Sequence, residues 1–247
     1  MHMNNIGPVP PAMLNISDAG RLEKYGLLPL FKRRLKKIVV VDGSLILNDK
    51  AYAKSILKSM KLAREILRCG FVGYDGRDVM EEIKKKFVDP PAGQQPRSYR
   101  FKVKYYQHQD GSVDDVQVGS GEVLLLTPRH PQKGVAFPPN LDPTWKQYEK
   151  DTGEKLEKNL WGPGPVLEED EVDRLTFCCC SCCHSNSKIA RWLSAKMCLR
   201  FPGNTTANQF FTPDMFSAYH REGYRACVEA GADKFLGEFA AINMNSQ

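Results

Sequence analysis

The chain has 247 residues, 42% hydrophobic and 26% charged, with a formal net charge of +6. That length holds one large domain, or one domain with insertions, and the composition excludes a disordered polymer. No run approaches the roughly 18–20 apolar residues of a membrane span, and Met1-His2-Met3-Asn4-Asn5-Ile6 lacks the charged start and apolar core of a secretory signal.

Residues 1–12 read as a linker. A short strand is expected from Met13 to Ser17, followed by the turn Asp18-Ala19-Gly20. The spacing of Leu30, Phe31 and Leu35 predicts a helix from Leu28 to Lys36, with Pro29 tolerated in its first turn. Ile38-Val39-Val40-Val41 is a continuous β-branched run, the pattern of a strand buried on both faces in a parallel sheet. Strand, helix and strand in about thirty residues make one βαβ unit, and the fold class is α/β. Asn48 or Asp49 is the expected cap of the next helix and Gly70 its expected stop. Its apolar positions are Ala53, Ile56, Leu57, Met60, Ala63 and Leu67. A second, basic stripe runs through Lys50, Lys54, Lys58, Lys61, Arg64 and Arg68. A shorter helix spans Asp78 to Phe87 and stops at Asp89-Pro90-Pro91.

From Ser98 to Tyr106, Tyr99, Phe101, Val103 and Tyr105 alternate with basic residues, a half-exposed strand. Asp110-Gly111 marks a turn, and Gly121 to Thr127 is its antiparallel partner, so the sheet is mixed. Between residues 128 and 187 the periodicity fails, and this stretch reads as an irregular insertion. It holds the acidic run Glu168-Glu169-Asp170-Glu171 and five of the eight cysteines, Cys178, Cys179, Cys180, Cys182 and Cys183. Adjacent cysteines are poor disulfide partners, which points to a reducing, cytoplasmic setting. Three readings stay open for that cluster: an unconstrained loop, an S-acylated membrane attachment, or a metal site with His184. Order resumes in residues 188–247. Thr212-Pro213-Asp214 signals the start of a helix that runs to Ala230 and stops at Gly231.

In a parallel α/β sheet, ligands gather outside the carboxyl ends of the strands. Asp18 falls at such an end. By itself it is an ordinary turn residue or half of a catalytic pair. Three stretches decide which is expected: LNISDAGRLEKYGLLPLFKRRLKKIVVVD, GEVLLLTP, and RFPGNTTANQFFTPDMFSAYHREGYRA. In their order and spacing they resemble the patatin-like lipid acyl hydrolases. The first is similar to that family's aspartate block and the second to a later strand ending in proline. The third resembles the closing block, carried here by Phe201-Pro202, Thr206, Asn208-Gln209-Phe210-Phe211, Phe216 and Tyr219.

The resemblance implies a patatin-like fold, a central, largely parallel mixed sheet flanked by helices. Residues 13–127 and 188–247 would form one catalytic domain interrupted by 128–187. It implies a Ser-Asp dyad in which Asp18 takes the proton of a nucleophilic serine during phospholipid or glycerolipid hydrolysis, without a cofactor. Asp42, which ends a strand too, is read as structural. Ala19 stands where the family has glycine. No Gly-x-Ser-x-Gly occurs in these residues, and the family places that motif before the aspartate block. The chain is therefore expected to be the C-terminal part of the enzyme, with an incomplete N-terminal half. The alternative is a non-catalytic lipid-surface or scaffold protein, and a third is a zinc-dependent interaction module built around Cys178 to His184. The basic stripe is either a solvated helix face or a contact with an anionic membrane surface, which makes a peripheral membrane protein; no motif pairs it with nucleic acid.

Overall fold

A computed structural model describes residues 23–43, 53–90, 95–108, 115–131, 141–176, 201–203 and 212–237. The expected strand at Met13 to Ser17 and the expected caps Asn48 and Asp49 lie outside the described residues.

Helix α1 (Leu27–Lys32) follows Gly26, whose φ of 67° is a conformation suited to glycine. It buries Leu27, Leu28 and Phe31 and ends before the expected Lys36, because Arg34 takes the left-handed conformation at φ 56°. Strand β1 (Lys37–Val41) follows directly. Helix α2 (Lys54–Leu67) buries Ile56, Met60 and Ala63, the predicted apolar face, and Ser59 beside them. Its stop is not Gly70. Arg68 closes the helix at φ 53°, and its N–H bonds to the Ala63 carbonyl. Gly70 instead lies within a strand that four residues of sequence do not announce, β2 (Cys69–Val72). Asp78 caps α3 (Val79–Ile83) by accepting from Met80 N–H at 2.7 Å and Glu81 N–H at 3.4 Å. One π-helical stretch (Lys84–Val88) completes the predicted helix.

Strands β3 (Ser98–His108) and β4 (Asp115–Leu126) form the expected antiparallel pair, with a bulge at Tyr105/Tyr106. The sheet order is β1-β4-β3-β2. β1 pairs in parallel with β4, whereas β3 is antiparallel to both neighbours. The fold is thus α/β with a mixed sheet, but two of its three described ladders are antiparallel. The physical reason is the short β3–β4 connection, which only an antiparallel pair accepts. β1 sits at an edge of the described sheet and Val41 is 64% exposed, so the apolar run is not buried on both faces as its composition predicts.

Alternation along the strands divides the core. Ile38, Val40, Phe71, Phe101, Val103, Val123 and Leu125 face α1, α2 and α3. Phe71 meets Phe31 and Phe101 edge to face at centroid separations of 5.6 and 6.0 Å. Each such pair adds about 1 kcal/mol to its burial. On the opposite face Leu124 and Leu126 pack with Ala232 and Phe235, beyond the end of the long helix α7 (Pro213–Ala230). The sequence signals of α7 are realised: Thr212 Oγ1 accepts from Met215 N–H at 3.2 Å, Pro213 opens the helix, and Gly231 ends it at φ 58°. Within the aperiodic stretch lie three short helices, α4 (Lys146–Thr152), α5 (Lys158–Trp161) and α6 (Glu169–Leu175). Among the described residues no helix is long and apolar enough to cross a membrane.

Candidate functional site

Parallel pairing sets the ends of β1 and β4 side by side, and Asp42 N–H donates to the Leu126 carbonyl at 2.7 Å. Just beyond, Thr127 N–H bonds to the Arg97 carbonyl at 2.8 Å. Arg97 Nε then donates to Glu222 Oε1 of α7 at 2.6 Å, and Arg129 N–H reaches the same oxygen at 3.1 Å. A second carboxylate, Glu229, receives Arg225 Nε at 2.8 Å and lies 3.6 Å from Arg97 Nη1. All three arginines and Glu222 are buried. Burial pushes the Glu222 carboxyl up, opposed by the charge and hydrogen bond of Arg97. The carboxyl end of the parallel pair is therefore a dry polar cluster. Two guanidiniums, Arg97 and Arg225, pair there with Glu222 and Glu229, the Arg129 guanidinium donates to the Gln95 carbonyl, and charges of both signs are brought together out of water. Asp42, 2% exposed, adds a further buried carboxylate to this end.

A second buried carboxylate organises the aspartate block. Glu23, 6% exposed, accepts from Leu27 N–H at 2.7 Å, Tyr25 N–H at 2.8 Å and Ser59 Oγ at 2.7 Å. It satisfies the first turn of α1 and ties it to α2. Asp18, the predicted base, stands five residues before it in sequence and lies outside the described residues.

Helix α7 carries a third assembly. Arg221, 1% exposed, grips Glu171 of α6 with both terminal nitrogens at 2.7 and 3.2 Å, and it also donates to the Val166 carbonyl. One residue earlier, His220 packs against Trp161 at 4.6 Å and Trp145 at 5.6 Å, with Tyr148 at 6.1 Å. Among the described residues its Nδ1 has no hydrogen-bond partner. Burial lowers the pKa of His220, so the ring is neutral near pH 7. Alongside, Leu160, Trp161, Thr212, Pro213 and Phe216 line an apolar cleft of about 290 Å³. Two parts of the proposed closing block also meet: Tyr219 Oη donates to the Pro202 carbonyl at 2.9 Å and its ring lies 4.7 Å from Phe201.

The basic stripe is less uniform than its sequence. Lys54, Lys58 and Lys61 are exposed, but Arg64 lies 2.5 Å from Asp78 and Arg68 2.5 Å from Asp115. Although burial raises the Asp78 carboxyl, Arg64 and two backbone N–H groups hold it below its ordinary value. Lys50 lies outside the described residues, as do Cys178–Cys183, His184 and Cys198. The two described cysteines are unreactive in character: burial pushes the Cys69 thiol up to about 11 and raises Cys227 in the same way. Among the described residues no three His, Cys, Asp or Glu side chains come together to hold a metal.

No protein-family model, curated protein or solved structure matches this chain. Sequence reasoning overlooked Arg97, Glu222, Glu23 and His220. Arg97 and Glu222 are 125 positions apart and carry no common motif. Glu23 had a local signal, an acid four residues before the first buried leucine of a helix.

Proposed function

We propose that this chain is the C-terminal part of a patatin-like serine lipid acyl hydrolase acting on phospholipid or another glycerolipid. In that role Asp18 is the general base of a Ser-Asp dyad, and the serine belongs to sequence beyond these 247 residues. One observation carries the proposal. The aspartate block runs through a helix pinned by Glu23 into β1, and β1 pairs in parallel with β4. Helix followed by a strand of a parallel pair is the order that the resemblance implies after a dyad aspartate, and this supports the reading. That end is polar and buried, and Arg97, Arg129 and Arg225 gather beside it, donors of the kind that could be aimed at the charge developing on an ester carbonyl.

The test is ester turnover by the full reading frame that contains these residues, with a fluorescent phospholipid as substrate. Asp18→Asn keeps the size of the side chain and removes the proton acceptor, so turnover should fall by about 10²- to 10⁴-fold at unchanged folding. The isolated 247-residue chain should be inactive. An undiminished Asp18→Asn enzyme, or serine-reagent-sensitive turnover by the isolated chain, would refute the assignment. A full reading frame without any turnover that still binds lipid would favour a non-catalytic lipid-surface protein.

A further inference from the structure

The turn from α1 into β1 reads Lys32-Arg33-Arg34-Leu35-Lys36-Lys37, and no acidic residue occurs between Glu23 and Asp42. Lys37 turns back into the fold, where Nζ bonds to the Phe235 carbonyl at 2.5 Å. Lys32, Arg33, Arg34 and Lys36 are exposed, and Leu35 in their midst is 37% exposed. This turn does not stand alone at its end of the sheet. β1 begins opposite Glu122, so residues 115–121 of β4 run on past it, with Val116 46% and Val118 39% exposed.

Two arginines join the turn to this projecting hairpin. Arg34 and Arg68 end α1 and α2 in the left-handed region, at φ 56° and 53°, where glycine would be unstrained. Arg34 Nη2 donates to Gln107 Oε1 at 3.1 Å, and Arg68 Nη1 lies 2.5 Å from Asp115 Oδ1. Gln107 faces Val116 in the ladder, so Arg34 reaches the same side of the hairpin as that valine. Tyr105 Oη fixes the Leu35 carbonyl at 2.6 Å, and a side chain at Gly121 would collide with that carbonyl. Leu35 is thereby held against the hairpin, while Arg68 offsets the charge of Asp115. The outcome is a surface on which Leu35 and Val116 protrude beside the cations of the turn, while Val118 is the unpaired residue of the bulge and is not part of it.

We propose that this amino-end surface, built on Lys32, Arg33, Lys36, Leu35 and Val116, docks the protein on an anionic phospholipid bilayer. Cations attract the leaflet and aliphatic side chains enter the acyl boundary. Single-stranded nucleic acid is the poorer fit, because it is held by exposed aromatic rings and here the protruding groups are aliphatic. The surface lies at the opposite end of the sheet from Asp42 and Thr127, so it tethers the protein rather than feeding the strand carboxyl ends. Binding requires neither Asp18 nor a serine. Failure of the hydrolase assignment and failure of this one are therefore separable.

The test is co-sedimentation of the full 247-residue chain with vesicles of phosphatidylcholine alone or of equimolar phosphatidylcholine and phosphatidylserine. Binding should need phosphatidylserine and weaken as salt rises. Each surface cation is worth roughly a fivefold change in affinity, so Lys32→Gln/Arg33→Gln/Lys36→Gln should weaken binding about a hundredfold. Leu35→Ser/Val116→Ser should weaken it while leaving its salt dependence unchanged, and thermal melts should match wild type for both variants. Three results would overturn the proposal. These are equal binding to both vesicle types, an equal loss from Lys54→Gln/Lys58→Gln/Lys61→Gln on α2, or tighter binding to single-stranded RNA that the same turn variant abolishes.

Discussion

The Arg97–Glu222 pair makes a quantitative demand on stability. Arg97→Met removes the guanidinium and leaves a Glu222 side chain that is 0% exposed, with Arg129 N–H as its hydrogen-bond donor among the described residues. A buried pair broken on one side costs about 3–5 kcal/mol. For a chain of this size that lowers the melting temperature by roughly 6–20 °C. Glu222→Met should cost less, about 1–3 kcal/mol, because Arg97 keeps Glu229 at 3.6 Å. The double variant removes both desolvated charges and leaves Arg225 and Glu229 paired at 2.8 Å. It should therefore return to within about 1 kcal/mol of wild type, since apolar replacement of a whole buried pair is near neutral. Urea unfolding followed by circular dichroism measures all four proteins, with an unchanged m-value as the control for two-state behaviour. A double variant as unstable as the sum of the singles would refute the reasoning, as would a loss below about 1 kcal/mol in Arg97→Met.

Two further outcomes are expected. Glu23→Ala should cost about 2–4 kcal/mol, because it removes a buried acceptor from three donors, while Ser59→Ala should cost about 1 kcal/mol; equal small losses in urea unfolding would show that Glu23 does not organise α1. His220 has a folded pKa lowered by burial, so its contribution to stability is complete above the unfolded value of about 6.5 and is lost as pH falls through the folded value. Melting temperature should therefore drop on the acid side less steeply in His220→Phe than in wild type, and identical acid slopes would count against a buried neutral ring.

Much of the fold was legible because local chemistry and tertiary structure agree. Tyr99, Phe101, Val103 and Tyr105 alternate in sequence and all four are buried. Thr212, Pro213 and Gly231 occupy the cap positions that their side chains and backbone preferences suit. Where expectation and structure part, a nonlocal contact or an unusual backbone conformation decided. Gly70 looked like a helix stop, yet Arg68 pays the left-handed strain at that position and its side chain meets Asp115 on β4. β1 is apolar enough for the centre of a sheet, but the hairpin β3–β4 takes the interior places and leaves β1 at an edge of the described strands. Residues 141–176 show no periodicity because α4, α5 and α6 are four to seven residues long, too short to repeat an apolar face.

The polar sites follow a different logic. A buried charge is tolerated only with a partner, and the partner can come from anywhere in the chain. Glu222 looks like one more polar position on an amphipathic helix until Arg97 is placed beside it, and Arg221 looks like a solvated neighbour until it clamps α6 through Glu171. The same rule reorders the positive charge. A stripe counted from sequence treats its six cations alike, but Arg64 and Arg68 spend their charge on Asp78 and Asp115. Among the described residues no carboxylate pairs with Lys32, Arg33, Arg34 or Lys36, so the field of this turn extends further into solvent. Net charge alone is silent on this difference. It follows from which carboxylates the fold brings within reach of which cations, and it directs the search for an anionic partner from the face of α2 to the end of the sheet.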